Sequence, residues 1–395
     1  MKASRIALIA NTDFGLYNFR LGIIRALIAG GCQVCVICPG GQYAGELRKE
    51  GVTHHRLHID RKGTNPINEL RTLWQLYRVL RKERFDLVHT FTIKPNIYGS
   101  LAAGAARTPV VVNTVTGLGY VFIEADGAKR WFLRKLVTNL YRFAFGFSSR
   151  VAFQNEDDFE LFLKYKIVDS HKGMVMSGGS GVDTEKFSSA GINQDKVQAL
   201  YQELGITGDQ KKVRVTLIAR LLWDKGIEEF VEAARILRPK YPSALFLLAG
   251  PIDTGNPAAV PGQYVEKAER EGVIKYLGPR RDIAEILYIS DIVTLPSYRE
   301  GVPRTLLEAM SMEKPIITTD TAGCREVVEA GRNGLLVPVK DHMALASAIE
   351  RLLDNEELRI KMGKYGRDKV LGEFDEKIVV RQTLRLYAEL LGDKP

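Results

Sequence analysis

Short, nearly continuous apolar runs alternate along the chain with longer stretches in which apolar residues recur every three or four positions. The first run, residues 5–10 (R-I-A-L-I-A), reads as a strand. The loop N-T-D-F-G-L-Y follows, then a helix over 18–29 with Phe19, Ile23, Ile24, Leu27 and Ile28 on one face. Further strand-like runs lie at 34–38, 86–91, 109–113, 150–154 and 174–176, with helical spacing at 68–84 and 93–106. Runs of this kind, apolar without strict alternation, predict a parallel sheet covered on both faces. The glycine-rich segment S-G-G-S-G-V-D, 177–183, interrupts the series. A second series occupies 213–219, 244–249, 274–277, 292–295, 315–318 and 335–337, again with helical stretches between. An amphipathic segment over 375–391, with Ile378, Val379, Leu384, Leu386, Tyr387 and Leu390 on its apolar side, predicts a terminal helix.

The pattern predicts an α/β fold of two tandem doubly wound, Rossmann-like domains, residues 1–178 and 179–374, followed by the terminal helix, 375–395. Ligands of such sheets lie beyond the carboxyl ends of the strands, so two facing domains place a cleft between them. A length of 395 residues agrees, since it exceeds one ordinary core. With 45% hydrophobic and 26% charged residues the composition is that of a soluble globular protein. No apolar stretch approaches the roughly 20 residues of a membrane span, and residues 1–10 read as a strand rather than a secretory signal. Cys35 and Cys38 form a C-x2-C, but with β-branched neighbours and no second ligand pair nearby they read as buried strand cysteines in a reducing cytoplasm. His54, His55 and His58 read as an edge strand, His89 as a strand-end residue, and Asp157/Asp158 as a solvated helix start, so no metal site is expected.

Charge is unevenly spread: of the formal net +9, residues 1–176 carry +11 and the remainder −2. The N-terminal half therefore calls for an acidic partner: nucleic acid, an anionic membrane surface or a phosphorylated substrate.

Candidate chemistry gathers in the second half, always just after a predicted strand. After 213–219 comes R-L-L-W-D-K-G, with Arg220 and Lys225; after 274–277 comes G-P-R-R-D; after 292–295 comes P-S-Y-R-E-G-V-P-R-T-L-L-E-A-M, with Glu300 in a turn and Glu308 on the helix that follows. All three should open on one edge of the sheet. Pro303 suits the first helical turn, which leaves the amides beyond it to meet an anion. Two cations beside such a helix start make a receptor for a diphosphate, and Glu308 can accept hydrogen bonds from paired sugar hydroxyls. Taken singly, the two glutamates read first as solvated surface charges, and Arg220 and Lys225 read equally as surface ion-pair partners of Asp224.

The set R-L-x3-K-G at 220–226, E-G-V-P at 300–303 and Glu308 eight positions after Glu300 resembles the retaining, nucleotide-sugar-dependent glycosyltransferases of family 4, which have the GT-B fold. The resemblance runs over the whole chain: the N-terminal loop with Gly15, G-S-G-V-D at 179–183, T-D-T-A-G-C-R-E at 319–326, and the helical C-terminus, which in that fold returns to the N-terminal domain. It implies that Arg220 and Lys225 hold the donor diphosphate, Glu300 faces the donor sugar, and Glu308 binds the ribose. Gly301, Val302, Pro303, Arg304 and Thr305, with Gly15, would complete the phosphate cradle, and the base would lie beside 280–282, including Arg281. Glu300, Arg220 and Lys225 are the implied catalytic residues; no cofactor or metal is required. One departure is T-V-T-G at 114–117, where Thr116 stands in place of a histidine that many members carry.

The basic N-terminal half would hold the acceptor, with Arg20, Lys94 and Thr116 as candidates. Residues 128–147 interleave Arg130, Arg134 and Lys135 with Trp131 and other large apolar residues. This suits an interfacial helix on anionic lipid, or equally a domain helix with a solvated basic face. H-T-x-T-I-K-P-N at 89–96 and N-T-V-T-G-L-G-Y at 113–120 resemble the members that extend polyprenyl-diphosphate-linked sugars. The implied partners are a UDP-sugar, with an N-acetylhexosamine of GalNAc type favoured, a polyprenyl-diphosphate-linked saccharide, and the inner face of the plasma membrane. Against other classes, no G-x-G-x-x-G follows the first strand as a nicotinamide dehydrogenase would need, and no nucleic-acid-reading motif accompanies the basic charge. A GT-B sugar-nucleotide epimerase would differ in needing no acceptor.

Overall fold

A computed structural model describes residues 4–60, 65–118, 128–206 and 212–392, with only the backbone given for 128–130. The chain divides into two compact units, Met1–Gly181 with Glu376–Pro395, and Val182–Asp375.

The N-terminal unit runs β1 (Arg5–Ile9), α1 (Asp13–Ala29), β2 (Gln33–Cys38), α2 (Ala44–Lys49), β3 (Thr53–Arg56), α3 (Pro66–Glu83), β4 (Leu87–Phe91), a wide π turn (Pro95–Gly99) leading into α4 (Ser100–Ala106), β5 (Val110–Val115), α5 (Ala128–Phe145), β6 (Arg150–Phe153), α6 (Glu156–Lys164) and β7 (Gly173–Val175). Its seven strands are parallel in the order β3-β2-β1-β4-β5-β6-β7. Strand order reverses between β1 and β4. Alternate residues of each strand enter opposite cores. Ile6, Leu8, Val110 and Val112 pack with Ile23, Ile24 and Leu27 of α1. Ala7, Ile9, Val88 and Val111 pack with Leu76 and Leu80 of α3 and with Ala102 and Ala103 of α4.

The C-terminal unit runs α7 (Gln194–Glu203), β8 (Arg214–Ile218), α8 (Ile227–Leu237), β9 (Leu245–Ala249), α9 (Gly262–Arg270), β10 (Lys275–Tyr276), α10 (Ile283–Ile289), β11 (Ile292–Leu295), α11 (Arg304–Ser311), β12 (Ile316–Thr319), α12 (Cys324–Val327), β13 (Gly334–Val337), α13 (His342–Leu353) and α14 (Glu356–Lys369). Six parallel strands lie in the order β10-β9-β8-β11-β12-β13, reversing between β8 and β11. After a second π turn the chain enters α15 (Glu376–Leu390), whose Leu386 and Tyr387 join the core under α1. Gly22 makes room for it: a Cβ there would come within 3.2 Å of Val380.

The predicted strands appear within one or two residues of their expected bounds. The opening loop does not. Thr12 is extended and its hydroxyl accepts the Gly15 amide, so N-T-D-F-G-L-Y is the cap and first turns of α1 rather than a glycine loop. Asp13 reinforces this start by accepting from the amides of Phe14 and Tyr43. α6 does begin at the aspartate pair, but Asp158 is buried rather than solvated, because the Asn155 side chain both caps its amide and donates to its carboxylate. His54 and His55 lie on edge strand β3, as expected. The cysteines are free and buried, and burial pushes the Cys35 and Cys38 thiols up to about 12. Among the described residues no group of three or more His, Cys, Asp or Glu is placed to hold a metal ion, and no helix is long and apolar enough to cross a membrane.

Candidate active site

Because every strand of the C-terminal unit is parallel, the segments after β8, β9, β11 and β12 emerge on one edge of its sheet. Glycines let them touch. Gly226 ends the Trp223–Lys225 turn at φ +73 and starts α8; a Cβ there would sit 2.2 Å from the Pro296 carbonyl oxygen. Ser297 Oγ and the Tyr298 amide both donate to the Asp224 carbonyl, at 3.0 and 2.9 Å. Gly323, at φ +75, lies against the backbone of Glu300 and Gly301; a Cβ would be 2.0 Å from the Gly301 oxygen. The Glu300 amide donates to the Ala322 carbonyl at 3.2 Å. The T-D-T-A-G-C-R-E stretch therefore supports the Glu300 turn from one side, and R-L-L-W-D-K-G supports it from the other.

This packing sets Lys225 Nζ 2.5 Å from Glu300 Oε1, with both side chains 16% exposed. The pair occupies the reversal of strand order between β8 and β11, the position where doubly wound sheets bind ligands. Arg220 is more open and pairs with Asp253, from the segment after β9, at 2.9 Å. One turn into α11, Arg304 Nε donates to Glu308 Oε1 at 3.0 Å. Burial raises the Glu308 carboxyl above the usual carboxylate range, while Arg304 pulls the other way. α11 begins immediately after Pro303, which is extended and occupies the cap position rather than the first turn. The first-turn amides of α11 thus face the same edge as Lys225 and Arg220.

Two residues here carried no sequence signal. Tyr298 OH donates to Glu229 Oε1 at 2.7 Å, and Glu229 is 5% exposed, so the Glu300 turn is anchored to α8 by a buried carboxylate. Gly226 and Gly323 sit within quoted motifs, yet their close approaches depend on strands far apart in sequence.

Residues 203–369 match the family described as glycosyl transferases group 1, and residues 5–155 match the one described as glycosyl transferase 4-like. The chain belongs to these glycosyltransferases. It is 32% identical to N,N'-diacetylbacillosaminyl-diphospho-undecaprenol alpha-1,3-N-acetylgalactosaminyltransferase of Campylobacter jejuni, over 98% of this chain and 99% of that one. It is 30% identical to UDP-Gal:alpha-D-GlcNAc-diphosphoundecaprenol alpha-1,3-galactosyltransferase of Escherichia coli, over 83% of this chain and 81% of that one. Anabaena HepE, solved in complex with UDP-glucose, superposes with a TM-score of 0.78 at 19% identity, covering 98% of this chain and all of that one. The fold is GT-B.

The remaining predicted site residues of the glycosyltransferase lie on both units. Arg281 is exposed on the connection after edge strand β10, and its neighbour Arg280 is tied to Asp282 and Glu203. Gly15 lies in the N-terminal unit, in the first turn of α1, where its amide donates to the Thr12 hydroxyl at 3.0 Å. Arg20 is buried in α1 with its guanidinium 4.4 Å over the Phe91 ring, and it lines a small recess with His89, Phe91, Thr114, Gln154 and Thr383. Burial, with Arg20 nearby, pushes the His89 imidazole well below its ordinary range; Nδ1 meets the Tyr387 hydroxyl at 2.5 Å and Nε2 the Thr114 hydroxyl at 2.7 Å. Lys94 pairs with Glu69 of α3 and donates to the Asp60 carbonyl, which draws it toward α3. Thr116 is half-buried just beyond β5. On α5, Trp131 is 56% exposed with Lys135 Nζ 5.0 Å over its ring. Arg134 is half-buried, and the Arg130 side chain falls outside the described residues.

Proposed function

We propose that this glycosyltransferase moves a hexosamine, GalNAc-type in first preference, from its UDP-sugar to a polyprenyl-diphosphate-linked saccharide, with retention at the anomeric carbon. The observation that carries the reading is the Lys225–Glu300 pair at the β8/β11 reversal, beside the start of α11. Lys225 and Arg220 bind the donor diphosphate with the amides of the Gly301–Thr305 segment; Glu308 accepts from the ribose hydroxyls; Glu300 accepts from hydroxyls of the transferred sugar. As the anomeric C–O bond breaks, its electron pair passes to the β-phosphate oxygen. Fixed cations and amides stabilise that charge most when it is fully developed. The acceptor hydroxyl oxygen bonds to the same face of the anomeric carbon and gives its proton to the departing phosphate.

The acceptor is inferred from the two relatives, both of whose names specify a sugar on diphospho-undecaprenol and an alpha-1,3 product. The basic N-terminal half and the exposed Trp131–Lys135 face of α5 suit a peripheral position on the inner face of the plasma membrane. The test is a matrix of UDP- and GDP-sugars against polyprenyl-diphosphate-linked monosaccharides, with mass detection of product and NMR of its anomeric proton. Transfer of one hexosamine as an α-linkage supports the reading. Absence of product throughout, or conversion of the sugar nucleotide without any acceptor, overturns it, the latter in favour of an epimerase.

A further inference from the structure

We propose that α3, together with α5, forms a two-helix surface that lies on an anionic lipid bilayer, with Ile67, Leu70 and Trp74 of α3 entering the headgroup layer. The proposal deepens the membrane reading above, which placed only α5 there.

Both helices cover the same face of the N-terminal sheet. Val111 packs in the core under α3, and Val115, four residues along the same strand, packs in the core under α5. The helical segment Pro95–Ala106 lies between them, since Tyr98 borders both cores. The sides of α3 and α5 turned away from the sheet therefore belong to one layer. On α3, Thr72, Leu76 and Leu80 face inward. On the opposite side Ile67 is 75%, Leu70 66% and Trp74 55% exposed. On α5, Phe132 and Phe143 are each 65% and Leu136 46% exposed. Large apolar residues this open are individually unremarkable, but a helical stripe of them on each of two neighbouring helices is a contact surface.

Charge selects the partner. Arg71, Arg78 and Arg81 are exposed on the same side of α3, and the Arg78 guanidinium lies 4.6 Å over the Trp74 ring. The acids of α3 turn elsewhere: Glu69 pairs with Lys94, and Glu83 with Arg5 and His55. α5 contains no acidic residue. Aromatic rings among arginines, with carboxylates withdrawn, match an anionic headgroup layer, where the rings sit at the interface and the cations meet phosphates. A second copy docking through this face would set arginine against arginine. One amphipathic element binds a bilayer weakly and reversibly; two in one plane hold a fixed orientation.

The test uses the full chain with each tryptophan isolated in turn: Trp131→Phe/Trp223→Phe leaves Trp74, and Trp74→Phe/Trp223→Phe leaves Trp131. Vesicles of phosphatidylglycerol and phosphatidylethanolamine are compared with neutral phosphatidylcholine vesicles. Expected is a blue shift of Trp74 emission, quenched by brominated lipid, on anionic vesicles only. Leu70→Ser/Trp74→Ser in the natural background should lower co-sedimentation with anionic vesicles at least tenfold. If Trp131 shifts and Trp74 does not, α3 is not a contact. If the double substitution abolishes a dimer in analytical ultracentrifugation without changing vesicle binding, the face is a self-association surface and the proposal falls. Transfer by the unsubstituted chain to a short water-soluble acceptor is measured in parallel: transfer without lipid binding sinks this proposal alone, and lipid binding without transfer sinks the catalytic reading alone.

Discussion

Lys225 Nζ and Glu300 Oε1 meet at 2.5 Å although their residues are 75 positions apart, which joins the segments after the first and fourth strands of the C-terminal sheet. Each residue satisfies the other's charge and is aimed at the same edge. Lys225→Ala should reduce transfer by about 10²- to 10³-fold, the effect of deleting one group that stabilises developing charge. Glu300→Ala should also cut it severely, because the donor sugar loses the acceptor that orients it. Each single change also strands the partner's charge in a largely buried place, so chemical denaturation should show a loss of stability that the double substitution recovers in part. Activity should not recover with it. Near-normal turnover in either single variant would remove the pair from the chemistry.

Glu308 provides a pH test. Burial raises its carboxyl above the ordinary range, with Arg304 opposing. A raised folded-state value means the fold holds this proton more tightly than the unfolded chain does. The associated stability is present in acid and is lost as pH rises through the folded value. In the proposed site, donor binding needs the opposite form, an ionised Glu308 that accepts hydrogen bonds from the ribose. Donor KM should therefore climb as pH falls through a window above the usual Glu value of about 4.3. Glu308→Gln should give a high KM with that limb flattened. A profile identical to the unsubstituted enzyme would place Glu308 away from the donor.

The Tyr298–Glu229 hydrogen bond, 2.7 Å, secures the Glu300 turn to α8. Among the described residues Glu229 Oε2 has no hydrogen-bond partner, so Tyr298 supplies the carboxylate's one side-chain donor there. Tyr298→Phe should cost about 1 to 3 kcal/mol of stability, the penalty for stranding a buried polar group. Glu229→Gln, which can still take the tyrosine hydroxyl, should be milder. Equal denaturation midpoints for Tyr298→Phe and the natural chain would contradict this account.

Gly323→Ala should be among the most damaging single-methyl changes in the C-terminal unit. It combines a left-handed φ of +75 with a Cβ position 2.0 Å from the Gly301 oxygen. Relief requires the backbone of Glu300 and Gly301, or the segment that carries Gly323, to shift, which disturbs the turn that places Glu300 against Lys225. The expected result is loss of transfer with donor affinity weakened, read by titration with UDP and by initial rates. Ala at Gly331, also at positive φ but with nothing within 4 Å, is the control for backbone strain without a clash and should keep activity.

The α/β alternation, strand positions, the break near 177–183 and the motif carrying Lys225, Glu300 and Glu308 were all legible from residue order. Strands buried on both faces must be written as apolar runs, and turns that follow them need glycine. Capping was less legible. Thr12 and Asn155 are ordinary cap residues, but whether Gly15 ends up in a loop or a helical turn, and whether Asp158 is solvated, depends on which side chain takes each amide. Partnership was not legible at all. Lys225 binds Glu300 rather than its neighbour Asp224, and Lys94 is drawn to Glu69, because sheet order and helix packing bring these distant residues together. The same holds for the outward stripe of α3: periodicity marks an amphipathic helix, but only the packed layer decides which apolar residues are left facing out. Local pattern is set by short-range sterics and burial, whereas charge pairing and exposure are set by neighbours that the chain acquires only when the sheets close.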